Sequence, residues 1–133
     1  MSIAIGLDIG TTTICGIALE CASGRVLLSE TLPNDSFLPG KNSYERLQDP
    51  EKIMAKVFAI LDKLQSRCGI PACIGISGQM HGIVYLNTCG KAVSPLYIWQ
   101  DMQSSQIMEK TGKSYSAVLS ELTGYPVADG YGT

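Results

Sequence analysis

A near-continuous apolar run close to the N-terminus carries a single acidic residue, and this feature constrains the fold most strongly. Residues 3–9 are apolar or glycine except for Asp8. Such a run is typical of a strand that is covered on both faces. A carboxylate in that setting is costly to bury unless something pairs with it. We therefore predict that Asp8 lies at the end of a strand and faces a ligand.

The residues that follow the strand are suited to an anion. Gly10 has no Cβ, so backbone can approach a ligand closely there. Thr11, Thr12 and Thr13 offer hydroxyls and backbone N–H groups. Magnesium takes one or two carboxylates, with waters and phosphate oxygens completing its shell. The stretch predicts that Asp8 faces a magnesium-bound phosphate. The alternative is an ordinary turn, with Asp8 as a hairpin or cap residue.

Composition excludes several classes of protein. The 133 residues are 45% hydrophobic and 17% charged, with a net charge of −2, which indicates a globular domain rather than a disordered, nucleic-acid-binding or membrane-surface protein. No apolar run approaches the roughly 20 residues of a membrane helix, and no secretory signal is evident. The five cysteines lack zinc-site spacing and predict free thiols in the cytoplasm.

Hydrophobic periodicity and turn signals predict a mixed α/β order. Three strands joined by tight turns come first, then a helix opened by Asp49 and Pro50 and ended by Gly69, and then further strands and helices. The predicted strands span about residues 3–9, 13–20, 25–32, 72–77, 83–86 and 96–99, and the later helices about 102–110 and 116–122.

This order predicts a sheet in which the first strand is central and the fourth lies beside it in parallel. Ligands of open α/β sheets bind beyond the carboxyl ends of strands. Asp8, residues 78–82 and the pair Gln100 and Asp101 all follow predicted strands. We expect them to converge on one cleft.

Two polar loops carry the remaining candidate site residues. Gly78 and Gly82 bracket Gln79, Met80 and His81, a loop that can present amides and an imidazole to a polar ligand. The alternative is a hydrogen-bonded loop histidine without chemistry.

The second loop follows an apolar strand and consists of Trp99, Gln100 and Asp101. An aromatic ring beside an amide and a carboxylate is a common arrangement for binding sugar hydroxyls. The alternative is a core tryptophan followed by Asp101 as a helix cap, and both interpretations are compatible.

Together these stretches resemble the N-terminal part of the FGGY carbohydrate kinases, most closely their sedoheptulokinase and xylulokinase members. The resemblance covers nearly the whole chain and rests on three motifs in matching order. The motifs are Gly6-Leu7-Asp8-Ile9-Gly10-Thr11-Thr12, Gly75-Ile76-Ser77-Gly78-Gln79-Met80-His81-Gly82 and Ile98-Trp99-Gln100-Asp101.

The resemblance implies an actin-like, ribonuclease-H-like ATPase fold, of which residues 1–133 would form part of the first domain, with the second domain absent. It implies transfer of the γ-phosphoryl group of ATP to a ketose such as sedoheptulose or xylulose, with Mg²⁺. Asp8 would lie near the metal, and residues 10–13 would form a phosphate-facing turn. The implied sugar-site residues are Gln79, Met80, His81, Gln100 and Asp101, with Trp99 packing beneath them.

Two departures from the family pattern qualify this expectation. Relatives usually carry an arginine two residues after the position of Asp101, where this chain has Gln103. Relatives are also several times longer, and their catalytic aspartate would lie beyond Thr133. We therefore expect a fragment that is inactive alone and able to self-associate through an exposed sheet edge. The alternatives are a non-catalytic sugar- or partner-binding module, or another actin-like ATPase.

Overall fold

The computed structural model describes residues 2–130, and these form two units. The first unit comprises residues 2–36 and 51–79, and the second comprises residues 37–50 and 80–130. In chain order the elements are β1 (Ile3–Ile9), β2 (Thr13–Glu20), β3 (Val26–Pro33), β4 (Phe37–Leu38), β5 (Leu47–Gln48), α1 (Pro50–Cys68), β6 (Cys73–Gly78), β7 (Leu96–Tyr97), a 3₁₀ turn (Gln103–Ser105), β8 (Ile107–Met108), β9 (Lys113–Ser114) and α2 (Tyr115–Thr123).

The first unit is built on a four-stranded sheet in the order β3-β2-β1-β6. β1 pairs antiparallel with β2, and β2 pairs antiparallel with β3. β1 pairs in parallel with β6, with Asp8 opposite Ser77. The predicted meander and the central position of the first strand are therefore confirmed.

One face of this sheet packs against α1. Ile3, Ile5 and Leu7 of β1 are buried, and α1 buries the stripe Ile53, Val57, Ile60 and Leu64. Gly16 in β2 allows close contact, because a Cβ there would lie 2.4 Å from Ile60 Cγ2. Helix and sheet therefore share one closely packed apolar layer.

The prediction that β1 is covered on both faces is wrong for the described residues. Its burial alternates, with Ala4 and Gly6 half-buried and Asp8 exposed. The alternation follows from the packing, because α1 covers the face of Ile3, Ile5 and Leu7 only. The near-continuous apolar pattern arises because the opposite face carries small residues.

The predicted strand at residues 72–77 is confirmed as β6, and it is exposed along its whole length. It is an edge strand, paired on one side with β1. Ile74 and Ile76 lie opposite Ile5 and Leu7 in the parallel register, yet they are 47% and 70% exposed.

The second unit contains the small sheet β4-β5-β7, the hairpin β8–β9 and helix α2. β4 and β5 were not predicted. The residues expected to form a strand at 83–86 make only isolated bridges, Ile83 with Tyr97 and Leu86 with Ala92. The predicted strand at 96–99 is confirmed only over Leu96–Tyr97.

The helix predicted at residues 102–110 is wrong. A 3₁₀ turn and the β8–β9 hairpin occupy this stretch. The backbone N–H of Gln103 donates to Asp101 Oδ1 at 3.1 Å, and Ser105 Oγ donates to the Met102 carbonyl at 2.7 Å. Such local side-chain bonds compete with a helix ladder. Gly112, at φ +66°, lies in the hairpin turn rather than after a helix.

The last predicted helix is confirmed as α2. Ser114 caps its N-terminus, because Ser114 Oγ accepts the backbone N–H of Ala117 at 3.2 Å. Gly124 ends it in the left-handed conformation, at φ +68°. Within residues 2–130, neither helix has the length and apolar character needed to cross a membrane.

Candidate functional site

Asp8 lies near the carboxyl end of β1 and is exposed. Ser77 Oγ, on the neighbouring strand β6, donates to Asp8 Oδ1 at 2.8 Å. Within the described chain, no lysine or arginine forms a salt bridge with Asp8, and Oδ2 accepts no hydrogen bond. The carboxylate is thus fixed through one oxygen and presents the other to solvent.

The turn after β1 closes through a short backbone contact. The Gly10 N–H donates to the Thr13 carbonyl at 2.9 Å. A Cβ on Gly10 would lie 2.8 Å from that same carbonyl oxygen, so a side chain cannot be added without moving the turn. Glycine at this position is therefore required by the tightness of the turn.

Asn34 supports this turn from behind, and sequence reasoning missed it. Its Nδ2 donates to the Gly10 carbonyl at 2.8 Å, and its backbone N–H donates to the Thr12 carbonyl at 2.8 Å. Asn34 is 4% exposed. In the sequence it lies in a turn-forming cluster, Pro33-Asn34-Asp35, and nothing local to that cluster indicates a partner more than 20 residues away.

Gln79, the first polar residue of the second motif, joins the same turn. Thr11 Oγ1 donates to Gln79 Oε1 at 3.0 Å, and the Gln79 N–H donates to the Ile9 carbonyl at 2.9 Å. The structure therefore brings Asp8, residues 10–13 and Gln79 together within the first unit.

The other predicted sugar-site residues belong to the second unit. Met80 is 70% exposed and Trp99 is 41% exposed, so the alternative of a core tryptophan is wrong. His81 has φ +59°, an uncommon conformation for a residue with a side chain. His81 and Gln100 are exposed as well. These side chains lie at the surface, where they are accessible to a ligand.

Asp101 differs from them, because it is only 4% exposed. Its Oδ2 accepts the Arg46 backbone N–H at 2.8 Å and Gln103 Nε2 at 3.2 Å. The Arg46 guanidinium instead donates to the carbonyls of Ser43 and Glu45, at 2.9 and 2.7 Å. The buried carboxylate is thus held by neutral donors, and Gln103 contacts it where relatives were expected to carry arginine.

A cleft of about 490 Å³ in the second unit is bordered by Asp101. Of the predicted sugar-site residues in this unit, only Asp101 lines it. The rings of Tyr85 and Tyr97 meet edge-to-face in its wall, with centroids 6.4 Å apart. The other lining residues are Tyr44, Ile83, Ile98, Gln103, Ser104, Gln106, Tyr115 and Leu119. Aromatic walls with a few polar groups are common in small-molecule sites.

A magnesium–phosphate ligand fits the first unit better than a bare metal does. Among residues 2–130, no three His, Cys, Asp or Glu side chains are grouped to hold an ion. Asp8 offers one carboxylate, which is enough for magnesium when waters and phosphate oxygens supply the other ligands. The donor set therefore suits a metal that arrives with its phosphate.

Comparison with known proteins agrees with the three motifs. Residues 3–132 match the family model described as "FGGY family of carbohydrate kinases, N-terminal domain". The chain belongs to the FGGY family of carbohydrate kinases. It is 30% identical to the xylulose kinase of Staphylococcus xylosus over 98% of its length, and 28% identical to the sedoheptulokinase of Mus musculus over 95%.

Solved structures of FGGY kinases share the fold. The ligand-bound xylulose kinase of Lactobacillus acidophilus aligns with a TM-score of 0.70 at 24% identity, covering 79% of this chain and 21% of that one. The expected actin-like ATPase fold is confirmed. The chain spans only 27% of the S. xylosus enzyme and 31% of the mouse enzyme.

Proposed function

We propose that this chain supplies phosphate- and sugar-binding elements of an ATP-dependent ketose kinase acting on xylulose or sedoheptulose. The observation that carries the proposal is the cluster at the end of β1. There Thr11, in the turn at residues 10–13, is hydrogen-bonded to Gln79, and Asp8 is hydrogen-bonded to Ser77, two residues before Gln79. Two similar proteins named xylulose kinase and sedoheptulokinase support the choice of a ketose.

Phosphoryl transfer depends on positioning and on neutralising charge more than on covalent chemistry. Mg²⁺ bound to ATP would supply most of the neutralisation. Asp8, anchored through Oδ1 by Ser77, would hold the hydrated metal through Oδ2. The Thr12 and Thr13 hydroxyls and the backbone N–H of Thr11 would donate to phosphate oxygens, while the Thr11 hydroxyl donates to Gln79. These groups bind and orient the nucleotide.

The sugar would be bound by the residues of the second and third motifs. Trp99 is 41% exposed, and His81 and Gln100 are exposed polar residues. Asp101 would accept sugar hydroxyls while held in place by Arg46 and Gln103. We assign no general base among the described residues, since the family resemblance implies an aspartate beyond Thr133. The 133-residue chain alone should therefore bind ligands without turnover.

The test is to incubate the purified chain with ATP, Mg²⁺ and a panel of ketoses, and to titrate the same ligands by calorimetry. We expect binding of Mg-ADP and of a ketose, without ketose phosphate. Rapid formation of ketose phosphate would show that the chain contains its own general base, and so would contradict the proposal that it binds ligands without turnover. Sugar binding without any nucleotide binding would favour the alternative of a non-catalytic binding module.

A matched pair of carboxylate variants localises the nucleotide. Asp8→Asn removes the charge proposed to hold the metal, and Asp62→Asn removes an exposed charge from α1. We expect Asp8→Asn to weaken Mg-ADP binding at least tenfold and Asp62→Asn to leave it unchanged. Equal losses of Mg-ADP affinity in the two variants would show that binding depends on net charge and not on the position of Asp8.

We also propose that two copies associate through β6. Its outer edge is unpaired within the described residues, and Ile74 and Ile76 are exposed beside it. Exposed apolar edge strands promote pairing with another chain. Sedimentation at several concentrations should show a dimer that Ile76→Lys dissociates.

The five cysteines form no disulfide, which supports a reducing compartment such as the cytoplasm.

A further inference from the structure

The phosphate turn, residues 10–13, has four backbone carbonyls, and three of them accept hydrogen bonds from groups of the first unit. An anion site needs N–H groups directed at the anion, and a carbonyl oxygen in the same place would repel it. The Gly10 carbonyl accepts from Asn34 Nδ2, and the Thr12 carbonyl accepts from the Asn34 N–H. The Thr13 carbonyl accepts from the Gly10 N–H. Two of these three contacts come from one residue.

Asn34 is itself fixed by a buried neighbour. Its Oδ1 accepts the hydroxyl of Ser36 at 2.6 Å, and Ser36 is fully buried. The Ser36 backbone N–H, which can only donate, also lies 3.4 Å from this oxygen, so the amide nitrogen Nδ2 is the atom that faces the Gly10 carbonyl. Ser36 therefore fixes which side of the Asn34 amide faces the Gly10 carbonyl. Asn34 in turn fixes the orientation of the turn at residues 10–13.

We propose that Asn34 is the positioning residue of the phosphate turn. It does not contact the phosphate. It donates hydrogen bonds to the carbonyls of Gly10 and Thr12 and so keeps them directed away from the anion. The turn then presents N–H groups and hydroxyls to the anion. This inference rests on the proposed function, because it assigns phosphate to residues 10–13.

The test compares two ligands and two buried amides. Asn34→Ala removes Nδ2 without adding charge, and Gln48→Ala removes the fully buried amide of β5 in the second unit. Calorimetry of the full chain would measure the affinity for Mg²⁺-pyrophosphate and, separately, for xylulose. We expect Asn34→Ala to lose at least tenfold in pyrophosphate affinity with less than a twofold change for xylulose. Gln48→Ala should leave pyrophosphate affinity within twofold.

A ligand-free measurement gives a second readout. Amide hydrogen exchange at Thr11, Thr12 and Thr13 should become faster in Asn34→Ala and stay as in the wild-type chain in Gln48→Ala. Asn34→Asp adds a charge and replaces the donor with an acceptor, so it should lose at least as much pyrophosphate affinity as Asn34→Ala.

The possible results separate this inference from the proposed function. Wild-type binding of pyrophosphate that Asn34→Ala leaves intact would overturn the positioning role and keep the phosphate site. Equal losses for pyrophosphate and xylulose would show a purely structural residue, and so would overturn it too. Loss in Asn34→Asp alone would show a charge effect instead. A wild-type chain that binds no pyrophosphate would overturn both proposals.

Discussion

Replacing Gly16 by alanine should destabilise the first unit through a direct steric clash. The added Cβ would lie 2.4 Å from Ile60 Cγ2, 3.0 Å from Leu64 Cδ1 and 3.2 Å from Leu7 Cδ2. Carbon atoms pack best at about 3.5–4.0 Å, so α1 must move away from the sheet by a large fraction of an ångström. Overpacking of this kind costs about 1–3 kcal/mol.

A small opposing effect comes from the unfolded chain. Alanine has less backbone freedom to lose than glycine, which returns about 0.4–1 kcal/mol where the conformation is compatible. We therefore expect Gly16→Ala to lower the free energy of unfolding by about 1–2 kcal/mol, measured by urea denaturation with far-ultraviolet circular dichroism. The matched control is Gly75→Ala in β6, where a Cβ meets nothing within 4 Å. It should leave stability unchanged or slightly raised.

A double-mutant cycle identifies the contact responsible. Ile60→Leu removes Cγ2, the atom closest to the new Cβ, at a cost of less than about 1.5 kcal/mol. In the Gly16→Ala background the same change should cost less or become stabilising. If Gly16→Ala is as stable as the wild-type chain, or if the two substitutions are simply additive, the packing of α1 described here is wrong.

Three further outcomes are expected. The hydrogen bond from Lys56 to Asp35 lowers the pKa of the Asp35 carboxyl below its ordinary value of 3.8. The stabilisation of the folded chain by this pair is therefore present above that value and is lost as the pH falls through the lowered pKa. In an NMR titration, Lys56→Met should raise the pKa of Asp35. Gly124→Ala should cost about 1 kcal/mol of stability, because φ +68° strains any side chain at the end of α2; chemical denaturation would detect this, and an unchanged midpoint would contradict it. Asp101→Ala should lower the free energy of unfolding by about 1–3 kcal/mol for each donor left unpaired, including the Arg46 N–H. Denaturation followed by Trp99 fluorescence would measure this loss. An unchanged stability would mean that water replaces the carboxylate.

The sequence predicts the first unit well because its signals are local and reinforce one another. The run at residues 3–9 and the turns after it predict the meander, and periodicity predicts the apolar stripe of α1. The exposure of β6 could not be predicted from such local signals. A short apolar run looks the same at the edge of a sheet and at its centre, since only the neighbouring elements differ.

The second unit is predicted less well, because long-range and side-chain contacts decide its backbone. A helix is predicted at residues 102–110, yet Asp101 and Ser105 bond nearby backbone and a hairpin follows. The candidate site shows the same limit. Asp8 and Gly10 are visible as a motif, whereas Asn34 acts across 24 residues through a single amide.

The most direct test of the central claim is a residue-resolved titration of the ¹⁵N-labelled chain with Mg-ATP, followed by NMR. We predict that the largest amide shift changes fall at residues 10–13 and at Gln79, and that they saturate and depend on Mg²⁺. Largest changes elsewhere, or no changes at millimolar Mg-ATP, would contradict the assignment of the turn after β1 as the phosphate site.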